Sequence, residues 1–329
     1  MIRRLAVPVV SLALLLAGCA KPPATDSAPA GKAEPATSAA QPPAAAKGTI
    51  GVSLLTMANP FFKEMGDAMV AEGKKHGFEV ILTAGENDPA KQKDQVNDFI
   101  VKKVSAIILC PCDSRSVGTT IAEANKAGIP VFTADIASLD KAGTVVCHVA
   151  TDNYAGGKLA GETLVKLLDG KGKVAVIDHP EVESVIQRTK GFHEVVDKVP
   201  GIKVVAQLPG KGAREESFKT AQDILEKNPE LDAIFAINDP SALGAVAAIE
   251  KAGRTGKIKV IGFDGMPEAK QAVKDGKIAA DIVQYPDKIG ETVVQKIADY
   301  MAGKKPEAQV LMATGAYTKA DADKDTKLK

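Results

Sequence analysis

From Thr49 onward the chain alternates two kinds of segment, and this alternation restricts the fold more than any other feature. Short β-branched runs appear at TIGVSLL (49–55), FEVILTA (78–84), SAIILCP (105–111), IPVFTAD (129–135) and TVVCHVA (144–150). Helical spacing appears between them at 61–76, 90–102 and 116–126. Apolar runs this short and this uniform predict strands covered on both faces. Gly77 and Gly128 fall where helices should stop. A second round opens with a long helix at 153–168. Its strands are KVAVIDH (173–179), IKVVAQL (202–208), LDAIFAIN (231–238), IKVIGFD (258–264) and IAADIVQ (278–284). Helices at 184–198, 214–227, 241–252 and 266–275 separate them. A helix at 288–301 and an extended stretch at 310–314 end the fold, and the tail 321–329 is expected to fray. Two successive rounds of this kind predict an α/β protein: two similar, doubly wound domains, each a parallel sheet with helices on both sides.

The first 48 residues follow other rules. MIRRLAVPVVSLALLLAGCA has a basic start at Arg3 and Arg4, then an apolar run too short for a comfortable membrane span. Residues 1–18 are read as a signal peptide. Leu16-Ala17-Gly18-Cys19 resembles a bacterial lipobox, in which cleavage precedes the cysteine and its thiol carries the lipid; an ordinary signal with a chance cysteine is the alternative. Residues 19–48 hold Pro, Ala, Ser and Thr with almost no large apolar side chain. Such a segment cannot bury enough surface to offset its ordering entropy, so a disordered tether is expected, reaching at most ~3.1 Å per residue. The chain is thus expected outside the cytoplasm, lipid-anchored to a membrane, in the periplasm or on the outer cell surface.

Composition narrows the function. A net charge of +1 gives no electrostatic footprint for nucleic acid. Lipidation of Cys19 would leave Cys110, Cys112 and Cys147, an odd number and a poor disulfide framework. A soft-metal site is not expected, because a fourth strand should separate Cys110 from Cys147 by ~10 Å at the ~4.8 Å strand spacing. A Cys110–Cys112 bridge would close a strained ring. No phosphate loop, G-x-S-x-G elbow or H-E-x-x-H motif is present. The expectation is a protein that is not an enzyme and needs no cofactor or metal.

Ligands of open α/β sheets bind beyond the carboxyl ends of the strands. There the chain places Asn59 with the adjacent Phe61 and Phe62, Cys110, Asp113, Asp135, Thr151-Asp152-Asn153, His179, Arg188, Asn238-Asp239, Asp264 and Gln284. Carboxylates accept, Arg donates and amides do both, which suits hydroxyl groups. Aromatic faces cover the C–H faces of a sugar ring. Four or five charge-assisted bonds of ~1.5–3 kcal/mol each reach micromolar binding, about −8 kcal/mol, after ordering costs. Asp113, Asp152 and Asp239 are equally readable as helix caps, Arg188 as a surface charge, and Phe62 as core.

The ordered motifs NPFF (59–62), TDN (151–153), RTKGF (188–192), FAIND (235–239), IGFDG (261–265) and DIVQYPDKIG (281–290) resemble the type I periplasmic sugar-binding proteins, and among them the ribose-binding family. The resemblance implies two α/β domains, 49–151 plus 285–313 and 152–284 plus 314–320. Three hinge crossings would join them, near Thr151-Asp152, Gln284-Tyr285 and Ala313-Gly315. It implies ligand contacts at Asn59, Phe61, Phe62, Asp135, Arg188, Asn238, Asp264 and Gln284, with Thr151 as a hinge-region hydroxyl and Cys110, Ile136 and His179 as further candidates. It also implies a monomeric substrate-binding subunit of an ABC importer for a sugar or polyol, or alternatively a sensor passing closure to a chemoreceptor or kinase. Three positions depart from ribose binders: Cys110 stands for an Asn, Ile136 for an Arg, and Gly212 near a ring-stacking Phe.

Overall fold

The computed structural model describes residues 47–329. The expected signal peptide, the candidate lipidation residue Cys19 and the expected tether up to residue 46 lie outside the described residues. The first lobe is laid down by β1 (Gly48–Leu54), α1 (Pro60–His76), β2 (Phe78–Ala84), α2 (Pro89–Val101), β3 (Ala106–Leu109), α3 (Gly118–Lys126), β4 (Val131–Ala134) and β5 (Val145–Thr151). The second follows with α4 (Asn153–Leu167), β6 (Gly172–Asp178), α5 (Glu183–Val196), β7 (Ile202–Pro209), α6 (Arg214–Lys227), β8 (Ala233–Ala236), α7 (Asp239–Lys251), β9 (Lys259–Asp264), α8 (Pro267–Lys274) and β10 (Ala280–Val283). The chain then returns through α9 (Pro286–Met301) and β11 (Gln309–Met312), and crosses once more into β12 (Gly315–Thr318) and α10 (Lys319–Ala322).

The two sheets run β11-β5-β4-β3-β1-β2 and β12-β10-β9-β8-β6-β7. The second repeats the order of the first, as two similar rounds require. In each, the order reverses at the first strand of the round, which places the switch point at the carboxyl ends of β1 and β6. The chain passes between sheets three times: after β5, after β10 and between β11 and β12. The strands are apolar because both faces are covered. In β3, Ile108 joins one core cluster while Ile107 and Leu109 join another; in β8, Phe235 is split in the same way from Ile234 and Ala236.

Four expectations are corrected. The sheets are not wholly parallel: β12 is antiparallel to β10, because the chain enters the second sheet at the carboxyl end of β10, where Gly315 pairs with Val283, and runs back along it. Helix α3 starts at Gly118 rather than 116, because Asp113 Oδ1 accepts the Arg115 and Ser116 amides at 2.8 Å and holds a turn there. Strand β1 begins at Gly48, inside the expected tether. The tail does not fray. Thr318 and Asp321 form a capping box, Ala322 is fully buried, Leu328 packs on the second-lobe core, and Lys274 Nζ donates to the Leu328 carbonyl at 3.3 Å. Among the described residues, no helix is long and apolar enough to cross a membrane.

Candidate ligand-binding cleft

A cavity of about 210 Å³ lies between the carboxyl ends of the two sheets. It is smaller than the ~300–1,000 Å³ typical of sites for drug-sized ligands. Its first-lobe wall is set by how α1 begins. Pro60 occupies the first helical turn, where its missing N–H costs nothing, and Asn59 Oδ1 accepts the Phe61 amide at 3.0 Å as the cap. This start aims Phe61 and Phe62 inward with ring centroids 5.2 Å apart and planes at 89°. Both rings belong to a core cluster that draws residues from both lobes, and both line the cavity. Core and ligand contact are therefore compatible for Phe62.

The second-lobe wall is organised around Arg188, which is 3% exposed. Helices α4 and α5 touch backbone to backbone: a Cβ on Gly157 would lie 2.0 Å from the Arg188 carbonyl oxygen, and one on Gly191 2.1 Å from that of Tyr154. The close approach brings Asn153 against the guanidinium. Arg188 Nε donates to Asn153 Oδ1 at 2.8 Å, and Nη1 donates to the Ile237 carbonyl at 2.7 Å. The guanidinium lies 3.9 Å from the Phe263 ring centroid and Nη1 is 3.6 Å from Asp264 Oδ1. Asp264 also accepts from Gln284 Nε2 at 2.8 Å and, across the cleft, from Asn59 Nδ2 at 3.5 Å.

Backbone strain gathers here. Asn87 (φ 61°), Asp135 (62°), Lys211 (53°) and Asp264 (125°) are non-glycine residues at positive φ, and all four line the cavity. Such conformations cost of order 1–3 kcal/mol each and persist where the surroundings over-determine them. Burial pushes both carboxyls up, Asp135 to about 7 and Asp264 to about 6, against the opposing pull of Arg188. Burial likewise lowers Arg188 and His179. Two acceptors of cleft-lining residues, Asp135 Oδ1 and Gln284 Oε1, have no donor among the described residues. The site is therefore short of donors, which hydroxyl groups would supply.

Of the sequence-predicted residues, Asn59, Phe61, Phe62, Asp135, Ile136, His179, Arg188, Asn238, Asp264 and Gln284 line this one cavity. Cys110 and Thr151 do not. Cys110 points into the first-lobe core and is fully buried, and burial raises its thiol. Thr151, the last residue of β5, faces a neighbouring cavity beside Tyr154 and Gln187. Asn238 is largely committed to structure: its Oδ1 caps α7 through the Ser241 amide and its Nδ2 donates to the Gly212 carbonyl. Asp152 is the α4 cap, whereas Asp239 is neither cap nor cleft residue. Cys110, Cys112 and Cys147 are free and buried. The apolar part of the wall, Leu55, Val182, Val185 and Ile237, was missed. Apolar residues beside strand ends carry no sequence mark that separates them from core.

A family model described as a periplasmic binding protein domain matches residues 50–305. The ribose import binding protein RbsB of Salmonella typhimurium is 36% identical over 267 residues, 81% of this chain and 89% of the relative. A periplasmic solute binding protein of an ABC transporter from Actinobacillus succinogenes, solved with bound D-allose, is similar at a TM-score of 0.78 and 30% identity, covering 84% of this chain and 99% of that one. A solute binding protein of an ABC transporter from Bacillus halodurans, solved with bound myo-inositol, is similar at a TM-score of 0.79 and 30% identity, covering 85% and 97%. By family match, sequence identity and shared two-lobed fold, the chain belongs to the periplasmic binding protein family, among its type I sugar-binding proteins.

Proposed function

We propose that this chain is the substrate-binding subunit of an ABC importer, capturing one single-ring sugar or polyol between its lobes. The observation that carries this reading is the convergence of donor-seeking acceptors from both lobes, Asp135 Oδ1 and Gln284 Oε1, beside the Phe61–Phe62 pair. The relatives support the ligand class: one imports ribose, and solved neighbours hold D-allose and myo-inositol. Ribose itself is not the favoured ligand. Ile136 lines the cleft where ribose binders carry a guanidinium, and Gly212, beside His179 and Asn238, lies near the place of their ring-stacking Phe, so two contacts to ribose are replaced. Capture proceeds by hinge closure, and the ligand shifts the population toward the closed state. Ser114 and Arg115 of the first lobe already reach the second: the Ser114 amide donates to the Glu181 carbonyl at 3.0 Å and Arg115 Nη1 to the Pro180 carbonyl at 2.8 Å. Lipid attachment at Cys19 would hold the monomer at a membrane, within reach of the permease. Isothermal titration across pentoses, hexoses and cyclitols tests the reading: at least one should bind in the micromolar range or tighter, and no heat from any would refute it. Replacing Cys19 with Ser should release the protein from the membrane fraction.

A further inference from the structure

Asp264 rests on a second layer of carboxyl groups that does not line the cleft. Gly262 stands two residues before it in β9 and pairs with Asp281 of β10. A Cβ at Gly262 would lie 3.1 Å from Asp281 Oδ1 and 3.1 Å from Asp239 Oδ1. The glycine is what leaves room for the two side chains to meet. Asp281 is fully buried and Asp239 is 2% exposed. Asp239 Oδ2 accepts the Met266 amide at 2.6 Å, pinning the turn that carries Asp264 and Gly265 into α8. Among the described residues, the other Asp239 oxygen and both oxygens of Asp281 have no hydrogen-bond donor.

Two ionised carboxylates in this position would leave three buried oxygens unsatisfied and set like charges against each other. One proton removes the repulsion and pairs two of the three oxygens, because a protonated carboxyl donates to its neighbour. The groups facing the pair are Asp264 from β9, Arg188 from α5, Lys270 from α8 and Tyr317 from β12. Arg188 donates to Asn153 and to the Ile237 carbonyl, and makes no hydrogen bond to the pair. Burial raises both carboxyls, Asp281 to about 7 and Asp239 well above its ordinary value, the latter also through the Asp281 charge.

We propose that Asp239 and Asp281 share a single proton and act as a positioning pair for Asp264, holding the β9–α8 turn through the Met266 amide. Neither touches the ligand. The effect on binding rests on the sugar-site reading of the cleft; the shared proton does not.

The test titrates D-ribose, D-allose and myo-inositol into wild type and Asp281→Asn at pH 7.5 and 9.5, and melts both proteins without ligand from pH 4.5 to 9.5. Asn keeps a permanent donor and removes the second charge. Wild type should bind whichever probe is recognised about tenfold more weakly at pH 9.5, the change expected if the bound cleft holds the shared proton about one pH unit more tightly. Asp281→Asn should hold its affinity within about twofold across the range. The folded state holds a proton that the unfolded state releases near its ordinary carboxyl pKa, so wild-type melting temperature should fall as pH rises, and fall less in Asp281→Asn. Wild-type binding that does not weaken, or weakening that persists in Asp281→Asn, would overturn the positioning role. If no probe binds, the sugar reading fails and melting alone decides: a flatter pH dependence in Asp281→Asn supports the shared proton, and parallel curves refute it. Should Asp281→Asn fail to fold, Asp239→Asn, whose amide oxygen can still accept the Met266 amide, takes its place in the same comparison with the same expected and refuting outcomes.

Discussion

Asp264→Asn should weaken ligand binding and stabilise the empty protein at the same time. The carboxylate is 2% exposed, and its charge is met by Gln284 at 2.8 Å, Asn59 at 3.5 Å and Arg188 at 3.6 Å. Losing a charged acceptor of ligand hydroxyls costs about 1.5–3 kcal/mol, a fall in affinity of roughly 10- to 150-fold. Stability moves the other way. Burial raises this carboxyl to about 6, so ionising it in the folded state is harder than in the unfolded chain. Above pH 6 that difference lowers stability by on the order of 1–3 kcal/mol. An uncharged isostere removes the penalty, and the gain should shrink as pH falls toward 4, where the unfolded chain also holds its proton. Isothermal titration gives the affinity; urea unfolding at pH 8 and pH 4 gives the stability. Affinity unchanged within twofold would show that Asp264 is structural. A variant less stable than wild type at pH 8 would show that its charge is better compensated than the geometry indicates.

Three other outcomes follow from the same contacts. Gly157→Ala places a Cβ 2.0 Å from the Arg188 carbonyl oxygen; forcing α4 and α5 apart should cost about 1–3 kcal/mol in urea unfolding and also weaken binding by displacing Arg188. Arg115→Ala removes the bond to Pro180 across the lobes; small-angle scattering of the empty protein should show a larger radius of gyration, and affinity should fall up to about fivefold, for a bond of ~1 kcal/mol. Ligand hydroxyls favour the ionised forms of Asp135, raised to about 7, and of Asp264, raised to about 6. Affinity should therefore rise from pH 5 to pH 7.5, with proton release on binding at pH 6, and a flat titration profile would contradict this.

Much of the fold was legible because the strands are covered on both faces, so the runs containing Ile107-Ile108 and Ile234-Phe235 carry no polar interruption. The cleft was legible in part because Asn59-Pro60 both ends a strand and starts α1. What stayed hidden depends on side-chain direction at strand ends. Cys110 and Asp135 stand at equivalent places after β3 and β4, yet one turns into the core and the other into the cleft. In Asn238-Asp239 either residue could cap α7. Asn238 does so, which leaves Asp239 to meet Asp281 from another strand, a partnership no local pattern records. The order of the tail arises from contacts with α8 made by Leu328 and Lys329, through Lys274 and Gln271, which a polar, charged composition conceals.

Capture between the lobes requires that each lobe supply binding energy to the same ligand. The direct measurement is to titrate the tightest-binding sugar or polyol of the panel into Asp135→Asn and into Gln284→Ala, whose unpartnered acceptors face the cavity from the first and second lobes. The account predicts that each variant binds at least about tenfold more weakly, as expected from losing one buried acceptor of ~1.5 kcal/mol or more. Full affinity in either variant would place the ligand on one lobe alone and contradict capture by closure.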